Sequence, residues 1–195
     1  SLSQIDQITM QLKYSWEHSA RIMKLEDLRR DGMFTDPVFV SVAFYDASGA
    51  KATSTGHLAA PPFIGNDAAF AFHKNNNSTA LRMDATAGHD SGRAVQFSRR
   101  IETGDEVFAG IVVLVVRSEY FTSFYNAKVL GRKGMLMMVE EQHKVRLEKD
   151  GDLVAAGKGS VLAGAPVFTA TSGAVLHKGS DWFSDGEDRV LAWRE

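Results

Sequence analysis

Residues 107–116 read VFAGIVVLVV, the longest apolar run in the chain. At ten residues it falls well short of the roughly 18 to 20 that a membrane-crossing helix needs, and β-branched side chains dominate it. Such a run, with Gly110 inside it, reads as a strand buried on both faces. The chain must therefore build a sheet around it.

What covers that sheet is suggested by the first 34 residues, which hold no proline and no glycine before Gly32. Leu2, Ile5, Ile8, Leu12, Trp16, Ala20, Met23 and Leu28 recur mostly at steps of three and four, which predicts one long amphipathic helix over 1–34. Ser3 is placed to cap its start, and Asp31-Gly32 to end it in the left-handed region.

After Pro37 the pattern changes to short β-rich runs. Residues 38–45 and 51–55 flank the turn Asp46-Ala47-Ser48-Gly49 and predict a hairpin. Pro61, Pro62 and Gly65 break the chain before a short helix over 67–74, with Asn66 as its expected cap. Residues 75–93 have no clear period and read as a loop with one extended piece. Strands over 95–101 and 107–116 follow around Thr103-Gly104-Asp105, and a helix is predicted over 119–129, capped by Ser118 and ending near Gly131. Beyond it the pattern starts over, with strands at 134–139, 145–147 and 153–156 around the turn Asp150-Gly151-Asp152. The fold class is α+β, in the element order of a PAS-like sheet followed by a second, smaller sheet from about residue 131.

Composition narrows the function classes. Lys plus Arg number 22 against 24 Asp plus Glu, so no global field favours nucleic acid or an anionic membrane surface. Without cysteine there is no disulfide, thiolate metal site or cysteine nucleophile. His89-Asp90-Ser91 brings together the residue types of a triad, but a triad converges in space rather than in sequence, and no G-x-S-x-G elbow is present. Glu140 and His143 have the spacing of bundle metal sites but occur once, in a region that reads as strand and turn. Gly157-Lys158-Gly159-Ser160 lacks the spacing of a phosphate-cradling loop. Asn76-Asn77-Ser78-Thr79 contains two glycosylation sequons, which would carry no meaning if the chain is bacterial. No catalytic residue, metal site or cofactor is expected. The polar opening SLSQIDQ lacks the basic start and apolar run of a signal peptide, so targeting or membrane segments are expected outside this stretch.

Four pieces, in order, resemble one family. They are Phe70-Ala71-Phe72-His73-Lys74, then Ser98-Arg99-Arg100-Ile101 followed by residues 107–112, then residues 120–125 with Gly131-Arg132-Lys133-Gly134, and finally residues 184–194. In order and spacing the set resembles the double Cache domains found outside the membrane on bacterial diguanylate cyclases, histidine kinases and chemoreceptors. The resemblance implies a long helix lying along two stacked PAS-like antiparallel sheets. By residue, these are the helix over 1–34, a membrane-distal ligand-binding subdomain over 35–130 and a membrane-proximal subdomain over 131–195. The family's last proximal strand is expected after Arg194, which leaves the proximal sheet incomplete. Amino-acid-binding members carry an Arg-x-Trp pair near the position of residues 67–72. Ala68, Ala69 and Ala71 stand there in this chain, so that mode of amino-acid binding is not expected.

The resemblance further implies a periplasmic domain of an inner-membrane protein that signals to a cytoplasmic output. The SRRI pattern leans towards a diguanylate cyclase or histidine kinase. Full-length copies are expected to pair as homodimers, and the rival reading is a ligand-independent dimerisation module seamed by the first helix. Alternation along residues 94–101 puts Gln96, Ser98 and Arg100 on the face opposite Phe97 and Arg99. With Phe72, His73 and Arg82 from the segments folding over that sheet, they form the candidate ligand site, rich in donors suited to a small organic molecule with a carboxylate.

Overall fold

The computed structural model of the chain describes residues 2–55, 60–85, 94–123, 125, 127–131, 133–140, 144–150, 153–156, 170–178 and 188–194. Strands β1 (Phe39–Asp46), β2 (Lys51–Ser54), β3 (Arg82–Ala85), β4 (Ala94–Glu102) and β5 (Phe108–Arg117) form one antiparallel sheet in the order β2-β1-β5-β4-β3. β5, the apolar run, is its centre, paired on either side with β1 and β4. Ile111, Val112, Leu114 and Val116 are fully buried there.

Register fixes two faces. Met83, Phe97, Leu114 and Val42 lie in one row across the sheet, and the neighbouring row is Arg82, Ser98, Val113 and Ala43, facing the other way. Helix α1 (Leu2–His18) covers the first face, burying Ile5, Leu12 and Trp16 against Phe44, Phe97 and Leu114. Helix α3 (Ala68–Asn75) covers part of the second, where Phe70 packs with Ala43, Tyr45, Ile111 and Val113. Its cap is Asp67, whose carboxylate accepts from Ala69 N–H at 2.7 Å, in place of the expected Asn66.

The predicted single helix over 1–34 is two helices. α1 ends at His18, Ala20 and Arg21 take positive φ (51° and 60°), and α2 (Leu25–Arg30) runs separately until Gly32 closes it at φ 98°. The reason is tertiary. α1 lies on β4 and β5, whereas α2 is held to the edge strand β2. There Leu25 is fully buried, its N–H donates to Thr53 Oγ1 at 3.0 Å, and Arg29 donates to Thr55 O at 3.0 Å. No straight helix reaches both. The apolar steps continue through the break, so periodicity alone could not show it.

The helix predicted over 119–129 is likewise divided, into α4 (Glu119–Thr122) and α5 (Ala127–Leu130). Ser118 does not cap it: its backbone is helical, and its buried hydroxyl has no partner among the described residues. Gly131, at φ 81°, ends α5. Beyond it, β6 (Met135–Glu140), β7 (Lys144–Asp150) and β8 (Leu153–Ala156) form a sheet in the order β6-β7-β8, and β9 (Ser172–His177) pairs with β10 (Arg189–Arg194). Leu147 of β7 is fully buried in the same apolar cluster as α1 and the five-stranded sheet, and Met138 of β6 packs against that cluster.

Gly110 is required by close approach. Its φ is 134°, and a Cβ built there would stand 1.9 Å from the carbonyl oxygen of Tyr45 on the neighbouring strand. Gly110→Ala is expected to lower stability by about 1–3 kcal/mol, read as a fall in the urea midpoint. An unchanged midpoint would show that the strand pair relaxes without cost.

Candidate ligand site

The face beneath α3 gathers all six residues expected from the sequence. β4 and β3 present Gln96, Ser98, Arg100 and Arg82 in paired rows, and α3 lays Phe72 and His73 over them. His73 is fully buried, with its Nε2 sharing a hydrogen bond of 3.0 Å with Ser98 Oγ, while its Nδ1 has no partner among the described residues. A buried polar atom left open in this way marks a place for water or a ligand group. Burial pushes the His73 pKa down to about 4. The positive charge of Arg82 adds to this, the bond to Ser98 opposes it, and Arg100 and Arg99 push it further down.

Arg82 forks onto Asp84 through Nε at 2.6 Å and Nη2 at 2.8 Å, and its guanidinium lies 4.4 Å from the centre of the Phe72 ring. Arg146 of β7 stands 3.8 Å from Asp84 Oδ1, the oxygen that also accepts from Arg82 Nη2. Asp84 is thus occupied by arginines. Gln96 pairs across the strands with Asp84 and Val115, is half-buried, and makes no side-chain hydrogen bond among the described residues.

Arg100 is committed differently. It is 3% exposed and donates to His73 O, to Asn76 O at 3.2 Å, to Glu106 O at 3.4 Å and to Glu102 Oε1 at 2.8 Å. These bonds tie the end of α3 to the β4–β5 turn, so Arg100 braces the site wall through protein contacts. Its ion pair with Glu102 is largely shielded from solvent. His89-Asp90-Ser91 and Gly157-Lys158-Gly159-Ser160 lie outside the described residues, as does His143. No group of acidic and histidine residues able to hold a metal occurs among the described residues, and no described helix is long and apolar enough to cross a membrane. β3 is the extended piece expected within residues 75–93, although sequence reasoning did not place its bounds. Its only signal was the short alternation of Leu81 and Met83 with Arg82 and Asp84.

The unit is α+β, with a helix backing one face of a central antiparallel sheet and a short helix gathering polar side chains over the other. No family model and no curated protein matches the chain. Among solved structures it is similar to the extracellular domain of rpHK1S-Z16, described as a histidine kinase, with a TM-score of 0.75 and 22% identity over 99% of this chain and 80% of that one. The ligand-binding domain of a Pseudomonas fluorescens chemoreceptor in complex with L-serine gives 0.60 and 14%, over 97% and 79% of the two chains. That of a Pseudomonas aeruginosa PAO1 amino acid chemoreceptor in complex with GABA gives 0.51 and 18%, over 89% and 86%. The chain has the fold of these Cache-type sensor domains.

Proposed function

We propose that the chain is the periplasmic sensor domain of an inner-membrane signalling protein. It takes up a small organic molecule bearing a carboxylate on the sheet face beneath α3, and reports to a cytoplasmic output such as a diguanylate cyclase or histidine kinase. The observation that carries the ligand class is the state of Asp84. Its negative charge is already matched by Arg82 and Arg146, so the site offers an ammonium group little net attraction, whereas the second terminal nitrogen of Arg82 and the amide of Gln96 remain as donors beside His73 and Ser98. Phe72 supplies the apolar wall beside Arg82. The bilobed division at residue 131 belongs to the same reading.

Against the dimerisation module stands the use of the first helix: Ile5, Leu12 and Trp16 are buried on the chain's own sheet and do not form an open seam. The test is a thermal-shift screen of organic acids, amines, amino acids and sugars. A carboxylate at 100 times its dissociation constant stabilises by about 2.7 kcal/mol, and Arg82→Gln or Gln96→Leu is expected to weaken it at least about tenfold. Stabilisation by amines alone, or undiminished binding in both variants, contradicts the assignment.

A further inference from the structure

Arg99 and Arg100 are consecutive on β4, so their side chains leave the strand on opposite faces. Both are buried, and both hold the loop that leaves α3. Arg100 takes Asn76 O on the α3 face, and Arg99 Nη1 donates to Thr79 O at 2.5 Å on the α1 face. Between these points the loop passes from one side of the sheet to the other, and Leu81, just beyond it, already packs in the α1-side core. The rest of the Arg99 guanidinium is spent on α1, with Nη2 paired to the Asp6 carboxylate and Nε donating to Thr9 Oγ1 at 3.2 Å. Thr9 is itself fully buried. A second chain of contacts runs around the strand end. Glu102, which holds Arg100, also lies 3.4 Å from Lys13 Nζ, and its N–H donates to Glu17 Oε1 at 2.8 Å.

We propose that Arg99 is the transmission residue of the domain: one buried guanidinium joins the loop behind α3 to α1, so a displacement of α3 is passed along residues 76–79 to the helix on the far side of the sheet. α3 borders the proposed ligand face, so the coupling would serve the sensor reading. The physical link itself stands whether or not a ligand binds there. A charged group with fixed partners on both sides suits this task, because shifting one partner leaves buried donors unpaired unless the other follows.

The experiment needs no ligand. Asp67→Ala removes the cap of α3 and is expected to speed amide hydrogen exchange in residues 71–75 roughly fivefold. In the otherwise unaltered chain, exchange in residues 9–13 of α1 rises with it by at least about twofold. With Arg99→Met in the background, α3 still loosens but the response of α1 falls to less than half, the remainder passing through Glu102, and Asp6→Asn, which breaks only the half-exposed end of the link, also reduces it. Should Arg99→Met fail to fold, Asp6→Asn decides. An α1 that ignores Asp67→Ala in the unaltered chain, or that responds equally with and without these contacts, overturns the proposal. Failure of the ligand screen with α1 still responding would sink the sensor reading alone.

Discussion

Replacing Trp16 by alanine lowers the stability of the domain by about 3–5 kcal/mol. The indole is 5% exposed and stacks on Phe44 of β1, with ring centres 4.3 Å apart and planes inclined by 9°. It is the last buried side chain of α1 before the chain turns, and it closes the core between helix and sheet. Truncation removes the apolar transfer term and leaves a cavity that a β-sheet backbone cannot collapse to fill. Equilibrium denaturation in urea checks it. A loss under about 0.5 kcal/mol, the size typical of surface substitutions, would place Trp16 on the surface and discredit the packing of α1.

Acidification from pH 6.5 to pH 4 removes about 3 kcal/mol of stability through His73 alone. The ring is buried, and its pKa is pushed down to about 4 in the folded chain from an ordinary 6.5. Above pH 6.5 it is neutral in both states and contributes no pH dependence. Between the two values the unfolded chain takes up a proton that the folded chain refuses, so stability falls as pH falls. Below about 4 both states are protonated and the slope from this group vanishes. Urea midpoints measured across this window, compared with those of His73→Gln, isolate the effect. A slope that survives in His73→Gln would mean that other groups carry it.

The chain's β-rich runs were legible because their signals are local. Residues 107–116 read as a doubly covered strand, and the turns at residues 46–49 and 103–105 mark the β1–β2 and β4–β5 hairpins of the five-stranded sheet. Alternation along β4 also assigned Gln96, Ser98 and Arg100 to one face and Arg99 to the other, as the paired strands have it. What alternation cannot convey is which donors the protein itself consumes. Arg100 and Arg82 look equivalent in sequence, yet one is buried in loop carbonyls while the other is forked on Asp84. That difference depends on where residues 76 and 106 come to rest, a long-range outcome of the fold. The break of the first helix is of the same kind. Nothing in the residues after His18 forbids a helix, and the pull of β2 on Leu25, Glu26 and Arg29 decides it.

The central claim is that a ligand sits on the face beneath α3, and mapping by NMR tests it most directly. The carboxylate giving the largest melting shift is titrated into the labelled domain while backbone and side-chain amide signals are followed. The account predicts that the largest shifts fall on Phe72, His73, Arg82, Gln96 and Ser98, with the Gln96 side-chain amide among them. Shifts confined to β6, β7 and β8, or to the outer surface of α1, with these five residues unmoved, would contradict it.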